Sequence, residues 1–210
     1  VAVIQAEPKL FDKKGCLRMT LDFIDRASEK GAERIVFPEL FIPGYPYGMN
    51  FGFSTGQRTA DGRADWQRYY EASILVPGPE TEVIGKAARE AKAYVSVGVS
   101  ERDAVTGTLY NSTLIFSPEG ELLTCHRKLK PTGSERVIYG DADRGFFPMA
   151  ETPWGTVLVG ITMTFFSVSG AHCSAAMMMF LLLGKTNTVS AGVRFTARRM
   201  SSVEGFMVCP

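Results

Sequence analysis

The chain has 210 residues, enough for one substantial hydrophobic core or for most of a larger one. It is 45% apolar and 21% charged with a formal net charge of +1, and its Lys and Arg residues are scattered, which excludes the basic footprint of a nucleic-acid binder. Cys16, Cys125, Cys173 and Cys209 lie far apart with no CxxC pair, and His126 and His172 are the only imidazoles, so a disulfide scaffold or structural zinc site is disfavoured, no metal or cofactor is called for, and a reducing cytoplasm fits.

The chain opens on "VAVIQAEP", nearly all apolar, as a strand buried on both faces would be. No signal peptide is visible ahead of it. Residues 13 to 30 place Leu17, Leu21, Ile24 and Ala27 on one side and Arg18, Asp22, Asp25, Arg26 and Glu29 on the other, a helix of period 3.6 with Gly31 suited to its C-terminal cap. "RIVFPE" supplies a second short strand. Residues 40 to 78 are rich in Gly, Pro and aromatics and show no sustained period; so long an irregular stretch is usually functional or packed by its own side chains. A second amphipathic helix is expected from about Glu80 to Ala93, with Val83, Ile84, Ala87, Ala88 and Ala91 inward.

"YVSVGVSER", "LYNSTLIFS" and "LLTCHRK" then read as adjacent strands, the last two forming a hairpin around the turn "SPEG". A polar connection leads to the strand "TVLVGI". No Asp, Glu, Lys or Arg occurs between Glu151 and Lys185, and "AAMMMFLLL" is intensely apolar. A spanning helix needs about 20 mainly apolar residues, and this run is too short and too interrupted by Gly and Ser before it; buried strands flanking a short helix explain it better. The end, "FMVCP", is strand-like, so the sequence reads as one domain over 1–210 that is incomplete at its C-terminus. Helices alternating with strands early and consecutive strands in the middle predict an α/β protein with a mixed sheet and helices on at least one face.

Three side chains stand where chemistry gathers in such a fold. Glu39 follows "IVF" and Pro38 at the C-terminal end of a strand, where ligand and catalytic groups collect. Among Phe37, Phe41, Tyr45 and Tyr47 it is desolvated, which raises its pKa and suits it to act as a base; equally, it could hold backbone amides of the "IPGYP" turn. Lys128 and Lys130, alternating with His126 if the strand runs on, could steady an oxyanion or form a solvated basic strand end. Glu135 could neutralise such a lysine or orient a base, or sit on a surface loop. Asn111 opens an otherwise apolar strand and is expected to bind backbone. Phe41, Tyr45, Tyr47, Phe51, Phe53 and Trp66 could line a pocket or simply pack their loop.

"FPELFIPGYPY" and "HRKLKPTGSERVIYGDADRG" resemble the two signatures of the nitrilase branch of the carbon–nitrogen hydrolase family. The likeness extends over nearly all of residues 1 to 161, including "VPGPETEVIGKAARE" and "LYNSTLIFSPEG". It implies an αββα sandwich of two mixed sheets with outer helices, on a chain longer than this one. It also implies a thiol enzyme: a cysteine attacks the carbon of a small organic nitrile, and water carries the covalent thioimidate to carboxylic acid and ammonia. By this resemblance Glu39 is the general base, Lys128 steadies the tetrahedral intermediate and Glu135 organises the site. No cofactor or metal is implied, and homo-oligomers extending into spirals are; neither nucleic acid nor membrane is a partner. An amidase or carbamoyl-amide hydrolase of the same superfamily would use the same Glu and Lys, and a non-catalytic binding or assembly member is the third possibility.

The family's cysteine follows the strand "TVLVGI" in a pattern like Cys-Trp-Glu. Here Thr162 takes the cysteine's place, Met163 the tryptophan's and Thr164 the glutamate's. A threonine hydroxyl is a far weaker nucleophile than a thiol. Cys173 is eleven residues on, roughly 16 Å away if the segment is helical. Beyond Thr162 only "SSVEG", at Glu204 and Gly205, recovers the family's pattern. Two explanations stay open: an altered or inactive relative, or stated residues beyond about 162 that differ from those the gene encodes. The runs "MMM" and "LLL" beside an intact "HRKLKPTGSER" favour the second.

Overall fold

A computed structural model describes residues 1–142, 149–153, 155–161, 179–184 and 205–208. The opening apolar segment forms β1 (Ala2–Gln5), and the first amphipathic segment forms α1 (Lys13–Glu29). Asp12 caps α1 by accepting from the Gly15 amide at 2.7 Å. Gly31, at φ +75°, ends it as expected, its amide returning to the Ser28 carbonyl at 2.8 Å. The buried face of α1 is turned from the expected one. Cys16, Thr20, Phe23, Ile24 and Ala27 are buried, while Leu17 and Leu21 lie half-buried at its margin.

β2 (Arg34–Val36) pairs parallel to β1, and β5 (Tyr94–Arg102) pairs parallel to β2. β6 (Leu109–Phe116) and β7 (Leu122–Arg127) follow as antiparallel neighbours, the expected hairpin. With β11 (Gly205–Val208) antiparallel to β1, the sheet order is β11-β1-β2-β5-β6-β7. Between β2 and β5 runs α3 (Pro79–Ala91), which lies beside α1 and is tied to it by the Lys13–Glu80 ion pair at 3.0 Å. Ile84 and Ala88 point into the core beside Phe23, Ile24, Val95, Val97 and Phe116, but Val83 is exposed, and Thr81 and Gly85 take inward places instead. Gly85 is needed there because its turn of helix rests on the β6–β7 turn, where a Cβ would lie 2.5 Å from the Gly120 carbonyl oxygen.

A second sheet has the order β10-β9-β8, all antiparallel, with β8 at Met149–Thr152, β9 at Gly155–Ile161 and β10 at Met179–Gly184. β9 lies against β6 and β7. The architecture is therefore the expected α/β sandwich, a mixed sheet flanked by helices; the outer helices expected beyond the second sheet lie outside the described residues. Two expectations are corrected. The latter part of the apolar run is strand β10, whose backbone pairs antiparallel with β9 along its whole length. The stretch 40–78 is not wholly irregular: it contains the hairpin β3 (Phe53–Ser54) and β4 (Gln57–Arg58) and a 13-residue helix, α2 (Ala60–Ala72). α2 escapes a periodicity search because it is polar nearly all round and buries only Gly62, Tyr69 and Ala72. Its one local signal is Thr59, whose hydroxyl accepts from the Gly62 amide at 3.1 Å.

Among the described residues no helix is long and apolar enough to cross a membrane.

Candidate active site

Glu39 is presented by an interruption in the sheet. The chain beyond β2 stays on β5 as far as Phe37, whose amide donates to the Ser96 carbonyl at 2.8 Å, and rejoins it at Ile42, whose amide donates to the Gly98 carbonyl at 3.2 Å. Residues 38 to 41 therefore bulge out over Gly98. A Cβ at Gly98 would stand 2.5 Å from both the Leu40 nitrogen and the Pro38 oxygen, and 2.6 Å from the Glu39 Cα. Only glycine fits beneath the bulge. Leu40 completes it in the left-handed region, φ +49°, held there by complete burial. Burial of Leu40 against Tyr69, Leu109 and Tyr139, with the Tyr69 hydroxyl donating to the Gly44 carbonyl at 3.0 Å, clamps this loop against α2.

Lys128 is the first residue beyond β7 and continues its alternation, so His126 and Lys128 are both buried, at 2% exposure each. Lys130 does not follow. It is exposed and paired with Asp141. Lys128 Nζ lies 3.2 Å from Glu39 Oε1 and 2.8 Å from Glu135 Oε2. Glu135 stands on a 3-10 turn over Gly133–Val137 and is locked on both oxygens: Oε1 accepts from the Tyr45 hydroxyl at 2.6 Å, and Oε2 also accepts from the Thr132 amide at 2.7 Å. The surface-loop alternative for Glu135 is thereby overturned, as is the solvated alternative for Lys128.

Two carboxylates thus share one ammonium in a dry place. Glu39 titrates above the ordinary glutamate range near 4.5, because burial disfavours its charge; Lys128 and then Asn111 work the other way, and Glu135 adds to the rise. The alternative in which Glu39 binds backbone amides of its own turn is not what is found. Its Oε1 is held by side chains, and its Oε2 is buried with no hydrogen-bond partner among the described residues. A carboxylate with one oxygen anchored and one open is suited to accept a proton.

Asn111 was expected on backbone; instead its Nδ2 donates to Glu39 Oε1 in a short contact, while its own carbonyl accepts the Lys128 amide at 2.7 Å. Sequence reasoning did single out this polar residue in an apolar strand, but not its partner. Tyr45 is the one member of the aromatic set that touches these groups. Phe51 and Phe53 pack edge-to-face on Trp66, with Phe51 tilted against Tyr69 and Trp66 against Tyr70, so these three serve loop packing; Phe41 is in the main core against Phe37, and Tyr47 is 80% exposed. No cluster of His, Cys, Asp and Glu able to hold a metal occurs among the described residues. Thr162 and Cys173 lie outside the described residues. Cys16 and Cys125, the described thiols, are both pushed up by burial, Cys125 to about 12 beside Glu101, which leaves neither with thiolate character.

A family model described as carbon-nitrogen hydrolase matches residues 1–173. The chain is 45% identical over 156 residues to an aliphatic nitrilase of Sinorhizobium fredii (strain HH103), covering 74% of this chain and 50% of the relative. It is 43% identical over 155 residues to a bifunctional nitrilase/nitrile hydratase of Lupinus angustifolius, covering 74% and 44%. The chain therefore spans about half the length of the curated relatives it matches. Among solved structures, Nit3 of Saccharomyces cerevisiae, a member of branch 10 of the nitrilase superfamily, superposes with a TM-score of 0.55 at 22% identity, covering 76% of this chain and 54% of that one.

Proposed function

The chain belongs to the carbon–nitrogen hydrolase family, in its nitrilase branch, and from that premise we propose that it hydrolyses a small organic nitrile to the carboxylic acid and ammonia. The observation that carries the reading is the buried group Glu39–Lys128–Glu135, in which, among the described residues, only Glu39 keeps an oxygen without a hydrogen-bond partner. In this reading Glu39 takes the proton of the attacking group at position 162 and delivers it to the nitrile nitrogen as the carbon–sulfur bond of a thioimidate forms. Lys128 holds the negative charge that grows on the substrate, and it is itself held in place by Glu135. A first water adds, ammonia leaves, and a second water releases the acid; two waters are consumed per nitrile. The chemistry asks for a thiol at position 162, where Thr162 stands.

Nitrile is favoured over amide as substrate because the relatives at 38 to 45% identity carry nitrilase names, whereas the likeness to solved amidases is one of fold. A cytoplasmic homo-oligomer, possessing one such domain per chain, belongs to the same proposal. The second reading, a non-catalytic binding or assembly member, is favoured by one observation, the replacement of the expected Cys-Trp-Glu by Thr162, Met163 and Thr164.

The test is ammonia and acid release by the full-length gene product from a panel of aliphatic and aromatic nitriles and their amides, alongside Thr162→Cys and Glu39→Gln. Release from nitriles that vanishes on Glu39→Gln is expected, and where the gene encodes Thr162 it should rise on Thr162→Cys. Release from amides alone would make it an amidase. Inertness of both the parent and the Thr162→Cys protein would leave the non-catalytic reading standing.

A further inference from the structure

Asn111 has a placement that the proposed reaction leaves unused. It lies on β6, an interior strand between β5 and β7, and is 1% exposed. A carboxylate oxygen offers about two lone-pair directions. Glu39 Oε1 fills both, one with Lys128 Nζ at 3.2 Å and one with Asn111 Nδ2. Oε2 accepts nothing among the described residues. The torsion that turns a glutamate carboxylate is broad, so Lys128 alone would hold one oxygen and leave the plane of the group free to turn. The second donor fixes that plane.

We propose that Asn111 is a positioning residue that pins Glu39 by Oε1, so that Oε2 alone takes the proton of the attacking group and passes it on to the substrate. A proton on Oε1 would face an ammonium and an amide N–H, two donors with nothing to offer it. A proton on Oε2 leaves Oε1 as a carbonyl-like acceptor, and both donors keep their partner through the whole cycle. The main-chain carbonyl at the same position accepts the Lys128 amide at 2.7 Å, a bond that substitution of the Asn111 side chain leaves in place. The identity of the proton donor rests on the nitrilase reading; the hold on Glu39 does not.

The experiment is a carbon-13 NMR titration of the Glu39 carboxyl in the full-length protein, the signal being assigned by its loss in Glu39→Gln. Asn111→Leu removes the donor at nearly constant size and is expected to raise the Glu39 midpoint by about one pH unit, the usual effect of losing a hydrogen bond to the charged form. Asn111→Asp, which keeps the shape and adds a like charge, is expected to raise it further and serves if the leucine variant does not fold. In the active enzyme the acid limb of kcat/KM should move by the same amount, with kcat falling and KM little changed. A midpoint that stays in place in either folded variant overturns the proposal, as does lost turnover with an unmoved acid limb. Because the titration needs no turnover, a moved midpoint in a protein that stays inert even as Thr162→Cys supports the pinning and refutes only the nitrilase reading.

Discussion

Glu39 carries its charge into a place that resists it, and that sets a sign for stability against pH. Its folded pKa lies above the unfolded value, so the folded state binds the proton more tightly. The stabilising side of that linkage is fully present below the ordinary glutamate value near 4.5 and is lost as pH rises through the raised one. Glu39→Gln, which leaves Lys128 balanced by Glu135 alone, should therefore be more stable than the parent at neutral pH by about 1 kcal/mol, a gain of the kind seen where function keeps a site under strain. The gain should vanish in acid; denaturant melts at several pH values measure it, and a constant difference would contradict the account. Lys128→Met acts the opposite way. It strands two buried carboxylates and should cost about 3–5 kcal/mol, with Glu39→Gln in the same chain recovering part of the loss. The sequence identifies Glu39, Lys128 and Glu135 by their motifs. The partners of Asn111 and Tyr45 are invisible there, because contacts across 72 and 90 residues depend on register and loop path rather than local pattern.

At the scale of elements, the strands were the most readable part: β1, β2, β5, β6, β7 and β9 all announce themselves as apolar runs with turn residues between them. Helices α1 and α3 were readable as elements but not in detail, since Leu17, Leu21 and Val83 look inward on a helical wheel while neighbouring helices and sheet decide which side chains are covered. α2 was hidden by its polarity, and the strand in the apolar run by the absence of any charge to set a period. α2 leans on its cap, so Thr59→Ala should cost about 1 kcal/mol in a thermal or denaturant melt. Gly98 makes a sharper case. Its lack of a side chain is what lets residues 38 to 41 bulge over β5, so Gly98→Ala should cost about 3 kcal/mol or more by overpacking. It should also displace Glu39 enough to abolish turnover in whatever protein remains folded; an active, undisturbed Gly98→Ala protein would show that the bulge does not position the base.

Across the whole molecule, the groups that meet around Lys128 come from four separate stretches of chain: the bulge after β2, the start of β6, the end of β7 and the 3-10 turn beyond it. Asn111 joins three of them, its side chain on Glu39 and its carbonyl on the Lys128 amide. That single main-chain bond has a consequence for how the protein breathes. The Lys128 amide is buried against an interior strand, so it can meet solvent only when β6 and β7 part. Amide hydrogen exchange at Lys128 should then report the parting of β7, the edge strand, from β6, whereas the exposed tip around Tyr47 should exchange freely. A substitution that loosens β7 on β6 would speed exchange at Lys128 even where overall stability is little changed. The main-chain tie beneath the base and the lysine endures as long as that one strand pair endures.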